Sequence, residues 1–308
     1  MRIYLFFVLV FLSSPIFSQN QFVIYTLGIA QDAGYPQAGC EKDCCKDAWK
    51  DANKRKMATC IAIADTLHKT WWMVEASPDF KEQLNLFRNL TNQQYKYLPN
   101  GIFITHAHIG HYTGLIQLGR EVMNTYKIPV FVLPKLKKYL SQNGPWSQLV
   151  TLNNIELHEL TINTETNIAK GFTATAFQVP HRDEFSETAG FSFFLNNKKV
   201  VFIPDIDKWQ KFSDNIPNTF SNISLAFIDG TFFKDGELVG RAMSEVPHPF
   251  VTESMNLFKD WNNALKSSIQ FIHFNHTNPL IKNKSKEKNI VTMNKFNVAV
   301  QGKLYSIN

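Results

Sequence analysis

The sequence predicts a layered α/β fold in one domain, and three observations carry that reading. Short apolar runs recur along the whole chain, helical patterns fall between several of them, and no repeat, low-complexity linker or composition shift divides the sequence. The chain has 308 residues, 44% hydrophobic and 19% charged, which suits one sizeable core and excludes a disordered class. Net charge is +6, with no long block of one sign. The interrupted basic stretch 282–288 reads as a solvated loop, so no nucleic-acid partner is expected.

From the N-terminus, Arg2 precedes an apolar run over 3–12, then Ser13, Ser14, Pro15 and Ser18. This order describes a signal peptide over 1–18, cleaved near Ser18. The run is too short for a permanent span, and no later segment is long and apolar enough for one. The expected product is a secreted or periplasmic domain over 19–308 with no membrane span. Strands are predicted over 22–27, 60–64, 71–74, 101–104, 130–133, 191–195, 199–203, 225–228 and 269–274, each a short apolar run bounded by turn residues. Helical periodicity covers 79–90, 113–125 and 252–265. The end, 296–307, alternates around Gln301-Gly302 and reads as a hairpin.

Four cysteines cluster early: Cys40, Cys44, Cys45 and Cys60. Cys60 lies in an apolar run and reads as a buried core residue. In an exported protein an even cysteine count permits disulfides, while the C-x3-C-C spacing of Cys40, Cys44 and Cys45 also suits a structural metal. Both readings stay open.

The chemistry concentrates in Ile104-Thr105-His106-Ala107-His108-Ile109-Gly110-His111. Three histidines within six residues, on a loop between a strand and a helix, can aim three imidazoles at one point. Imidazole binds zinc, iron and manganese alike; zinc, as one or two ions, is the expected cofactor, with iron or manganese as alternatives.

This segment resembles the H-x-H-x-D-H signature of the metallo-β-lactamase superfamily. The resemblance implies a four-layer αββα sandwich with a metal centre at one edge of two sheets. It also implies further ligands in chain order: a lone His, a bridging Asp at a strand end and a final His. His181, Asp205 in Phe202-Ile203-Pro204-Asp205, and His273 match that order. His276 lies close enough to His273 to be an additional ligand.

Two branches are nearest. Thr26-Leu27-Gly28, Gly34-Tyr35-Pro36-Gln37, Ala76-Ser77-Pro78-Asp79, Ile228-Asp229-Gly230-Thr231 and the run from Ile272 to Pro279 resemble the family of the pyrroloquinoline quinone biosynthesis protein B. That family has a C-x-C-x2-C cluster after Pro-Gln, from which the spacing here departs. His248, in Val246-Pro247-His248-Pro249, resembles a catalytic His of the cyclic-phosphate phosphodiesterases and tRNA 3′-processing nucleases, about two dozen residues before the last ligand. The implied mechanism is hydrolysis by a metal-bound hydroxide, the metal lowering the pKa of water from about 16 toward about 7. Asp205 would bridge or orient the hydroxide, His248 would serve the leaving group, and Asp229 would orient a neighbour. Asp32 and Asp79 lie on loops that could also face the centre. The chain leaves the signature at Gly110, where the hydrolases carry an Asp that ligates the second metal.

The reading is therefore an exported metallohydrolase of a small-molecule substrate, with a phosphodiester as the candidate class. The alternatives are a cofactor-maturation enzyme of the quinone-biosynthesis type and a non-catalytic metal-binding relative.

Overall fold

Fourteen strands, among the described residues, make two seven-stranded mixed sheets. A computed structural model describes residues 21–307 except Val239 and Arg241; the signal peptide read at 1–18 lies outside the described residues. The first sheet takes β1 (Phe22–Gly28), β2 (Cys60–Asp65), β3 (Thr70–Val74), β4 (Ile102–Phe103), β5 (Ile128–Val132) and β6 (Ile155–Glu159). The second takes β7 (Glu165–Ala169), β8 (Phe172–Gln178), β9 (Ala189–Leu195), β10 (Lys198–Ile203), β11 (Ile223–Asp229), β12 (Ile269–Ile272) and β13 (Asn297–Val298). The last strand, β14 (Leu304–Ser306), returns to the first sheet and pairs antiparallel with β1.

The side-chain period of two divides each central strand between two cores. Along β1 to β4, Phe22, Ile24, Ile61, Ile63, Trp72, Val74 and Phe103 join the core that also holds Phe172, Phe191 and Phe193 of the second sheet. Their neighbours Val23, Tyr25, Ala62, Trp71, Met73 and Ile102 face the other way, toward the outer helices Phe80–Leu90 and Pro134–Gln142. Strands buried on both faces read in sequence as unbroken apolar runs, which is why these were legible. On the outer side of the second sheet, Trp209, Phe220 and Phe258 pack edge to face or tilted.

The architecture is the layered sandwich that the sequence predicts: two mixed sheets packed face to face, with helices on their outer sides. Three sequence expectations need correction. The C-terminal segment is no hairpin: β13 pairs parallel with β12 in one sheet and β14 with β1 in the other. The turn at Gly302, φ +82, carries the chain between sheets, and Gly302 N–H donates to Thr26 O at 2.7 Å. The pattern over 113–125 gives only a 3₁₀ segment, Thr113–Leu118, after the four-residue helix Ile109–Tyr112. Gly114 sits against the Ser77 carbonyl so closely that a Cβ would lie 2.1 Å from it, and Gly119 ends the segment. The pattern over 252–265 is two helices, Val251–Leu257 and Asn263–Ser268. Trp261 stacks on Phe258 at 4.2 Å in the break, and the Asn262 side chain caps the second helix. No helix among the described residues is long and apolar enough to cross a membrane.

Strand direction positions the site. β3 and β4 are parallel, as are β10, β11 and β12. β8 and β10 both run antiparallel to β9 between them, so they share a direction. The C-terminal ends of these strands deliver Glu75, His106, His181, Asp205, Asp229 and His273 to one edge of the sandwich.

Candidate metal centre

At that edge the side chains of His106, His108, His181 and Asp205 converge, each offering an atom within 4.8 Å of the others. His106 Nε2 is 2.8 Å from His108 Nδ1, and His181 Nε2 is 3.3 Å from the same Nδ1. Asp205 Oδ2 lies 3.2 Å from His181 Nε2 and 3.6 Å from His106 Nε2. Ligands about 2.0–2.1 Å from a tetrahedral ion stand about 3.3 Å from one another, so these spacings fit a divalent metal. A second group, Asp32, His111 and His273, adjoins the first, and His111 Nε2 is 3.9 Å from Asp205 Oδ2. His111 and His273 are buried, and their Nε2 atoms have no hydrogen-bond partner. An orphaned buried imidazole nitrogen is costly in a folded protein, and a bound metal ion satisfies it.

Three of the five imidazoles are hydrogen-bonded from behind, and the other two, His111 and His181, have a carboxylate close behind them. His106 Nδ1 meets Thr105 Oγ1 at 2.8 Å, and His108 Nε2 meets Glu184 Oε2 at 3.0 Å. His111 Nδ1 lies 3.2 Å from Glu75 Oε1, His181 Nδ1 3.4 Å from Asp207 Oδ1, and His273 Nδ1 2.9 Å from Thr231 Oγ1. Such partners fix which ring nitrogen faces the ion and raise its basicity. Glu75 is fully buried at φ +76, and Thr105 Oγ1 donates to it at 2.6 Å; His273 sits at φ +67. Two bulky residues in the left-handed region at one edge mark a place where geometry is held against local preference.

The electrostatics separate the histidines. Burial drives His106 and His273 well below the ordinary imidazole range and lowers His108. Burial also opposes the charge on His111, but Glu75, Asp205 and Asp32 together outweigh it and raise its pKa to about 9. His248 behaves the same way: burial opposes, Asp229 and Asp205 prevail, and its pKa rises to about 9. Its Nδ1 lies 2.8 Å from Asp229 Oδ2 and 3.2 Å from Asp205 Oδ1. Asp229 is itself fixed by the N–H groups of Ile206 and Thr231. The helix Val251–Leu257 that follows His248 is anchored where Phe250 N–H donates to Glu253.

Cys40, Cys44, Cys45 and His276 form a separate cluster with ligand atoms within 4.8 Å of one another. All four cysteines are free thiols; Cys40 Sγ and Cys44 Sγ are 3.6 Å apart, against about 2.05 Å in a disulfide. About 3.7 Å is the edge of a tetrahedron of sulfurs around zinc. The spacing works because Cys44 and Cys45 ride the helix Asp43–Lys50 while Cys40 precedes it. His276 thus stands with the cysteines and not beside His273, since Asn275 N–H is bonded to Thr231 O and turns the chain away. Cys60 is buried in β2, apart from this cluster.

Residues 70–274 match the β-lactamase superfamily domain. The chain belongs to that superfamily. Coenzyme PQQ synthesis protein B of Xanthomonas oryzae pv. oryzae (strain MAFF 311018) is 26% identical over 289 residues, spanning 86% of this chain and 93% of that protein. The Zn(2+)-bound PqqB from Methylobacterium extorquens superposes with a TM-score of 0.77 at 20% identity, over 92% of this chain and 99% of that one. A diphosphatase from the PhnP family superposes with a TM-score of 0.64 at 17% identity, over 92% and 96%. These two share the superfamily fold with this chain.

Measured against the superfamily signature, the structure brings His106, His108, His111, His181, Asp205, His273, His248 and Asp229 to one place. Asp79 does not join them: it accepts from Ala58 N–H at 2.7 Å and ties a loop. Sequence reasoning missed Glu75, Thr105, Glu184, Asp207 and Thr231, the residues behind the imidazoles. Position at a strand end was a signal for Glu75 and Thr231, but their partners lie far away in sequence.

Proposed function

We propose that the protein is an exported metal-dependent hydrolase of a small phosphodiester-like substrate. The observation that carries this reading is the convergence of six candidate ligand side chains, each imidazole with a polar group behind it, beside the His248–Asp229 pair. His106, His108, His181 and Asp205 would hold one ion; His111, His273 and a share of Asp205 would hold the other. Zinc fits the nitrogen and oxygen donors, and iron or manganese are alternatives. Cys40, Cys44, Cys45 and His276 would hold a structural zinc. When bound, divalent ions at the centre supply Lewis acidity toward water and substrate oxygens at neutral pH.

The chain's own residues do the rest. Asp205 sits between the two histidine groups and orients whatever oxygen lies there. His248, held through Nδ1 by Asp229, keeps its other nitrogen for the substrate. The Asp229 carboxylate at Nδ1 favours its protonated form, so it can give a proton to a departing oxygen. Burial of the pair excludes water that would compete for that proton. The PhnP-family diphosphatase supports the phosphate-ester class, and the charged, apolar and small-residue order of 1–18 supports export.

A second reading, a cofactor-maturation enzyme, is favoured by the likeness to coenzyme PQQ synthesis protein B along 86% of this chain. Elemental analysis of the purified protein, followed by turnover of bis(4-nitrophenyl) phosphate and of a lactam, separates the two. Metal-dependent phosphodiester cleavage that disappears with a chelator and returns with zinc is expected. A metal-loaded protein inert on both ester and lactam would favour the maturation reading.

A further inference from the structure

Gly110, where a hydrolase signature places an acid, is not vacant ground. Asp32 fills the space beside it from the loop after β1. A Cβ built on Gly110 would lie 2.4 Å from Asp32 Cα and 2.6 Å from Asp32 Oδ1. Gly110 does not have a positive φ, so close approach and not a left-handed backbone accounts for glycine here. Asp32 itself is held at φ +28. The residue before it is tied down twice: Gln31 N–H donates to Phe274 O at 2.9 Å, and Asn275 Nδ2 donates to Gln31 Oε1 at 2.6 Å. Phe274 and Asn275 directly follow His273, so the loop bearing Asp32 and the strand end bearing His273 move as one piece. Asp32 Oδ1 stands 3.7 Å from His111 Nε2, and Asp32, His111 and His273 each offer an atom within 4.8 Å of the others. The two imidazole Nε2 atoms that face this carboxylate are buried and unpartnered.

We infer that Asp32 is the terminal carboxylate ligand of the second ion, supplied from the N-terminal loop in place of the acid missing at Gly110. The inference rests on the metal-centre reading above. It gives that ion His111, His273, Asp32 and a share of Asp205. It also restores the negative charge that offsets two neighbouring cations. The second site is then complete from the protein alone.

Metal counting on the whole mature chain tests this. The parent should bind three zinc ions: two at the centre and one at the cysteine cluster. Asp32→Ala should keep two and bind the third at least about 100-fold more weakly, since losing a ligand costs no less than the roughly 10–100-fold that losing a residue behind a ligand costs. The two retained ions report that the fold is intact. Should Asp32→Ala lose all three, Asp32→Asn carries the same comparison, because it keeps the size of the side chain and removes its charge. Gly110→Asp should also lose the third ion, since its Cβ meets the Asp32 backbone. Anomalous diffraction at the zinc edge should place one ion on the Asp32 carboxylate. Three ions of parental affinity in both Asp32 variants, or an ion with Asp32 turned away, would overturn the proposal while leaving the metal centre standing. A parent with no ion on His106, His108 and His181 would instead bring down the centre and this proposal with it.

Discussion

At the residue scale, the five clustered imidazoles and His248 differ in what their surroundings demand, and that difference can be measured. His248→Ala should keep all its metal and lose rate by a factor on the order of 10² to 10⁴, the usual worth of a general acid; metal analysis beside a rate assay checks both halves, and lost metal would make it a ligand. His108→Ala should lose the first ion and turnover together, since Nδ1 stands within 3.3 Å of two other donor atoms. A pH dependence follows from His111, whose folded value near 9 lies above the ordinary imidazole value of 6.5. Its charge therefore stabilises the metal-free fold fully below about pH 6.5, and that contribution is lost as pH rises through about 9. A metal must displace the same proton, so second-ion affinity should climb with pH and level off above about 9. Calorimetry in buffers of different ionisation enthalpy would show the released proton; a flat affinity from pH 6 to 9 would contradict it. The converging histidines were legible because imidazoles crowded in one loop have few other uses. The partners behind them were not, because a Thr, Glu or Asp at a strand end looks like any turn residue until its distant imidazole is in place.

At the element scale, what the sequence displayed was burial on both faces. β1 to β5 and β9 to β12 were readable as apolar runs, whereas β6 and β7, at the edge of each sheet, alternate with exposed polar residues and were missed. The helix Asp43–Lys50 was missed because its buried face rests on only Cys45 and Ala48 within a short run dominated by charged residues. Trp71 and Phe87 show where an element's stability resides: they stack at 4.0 Å between the first sheet and the helix Phe80–Leu90. Trp71→Ala should cost about 3–5 kcal/mol, read from chemical denaturation, with metal affinity in the folded fraction unchanged. A large loss of affinity without loss of stability would place that helix in the metal machinery.

At the scale of the whole molecule, the N-terminal segment makes the prediction that the structure does not describe. The mature protein should begin near Gln19, and the mass of native protein would show it; an intact Met1 end on protein inside the cell would overturn export. What the chain-wide view adds is how far apart the donors are in sequence. The proposed ligands run from Asp32 to His273, and β14 must close on β1 before the first sheet has its full width. No contiguous piece of the chain holds a full donor set for either ion, so an unfolded copy, left with the 106–111 histidines alone, binds them much more weakly. Metal thereby favours the native state, and free ion concentration becomes a dial on its population. At 100 times its dissociation constant a single ion adds about 2.7 kcal/mol to the unfolding free energy. On the export proposed above, a copy crossing a membrane as an open thread would carry few ions with it, and its lifetime against proteases on the far side would follow the metal content of that compartment.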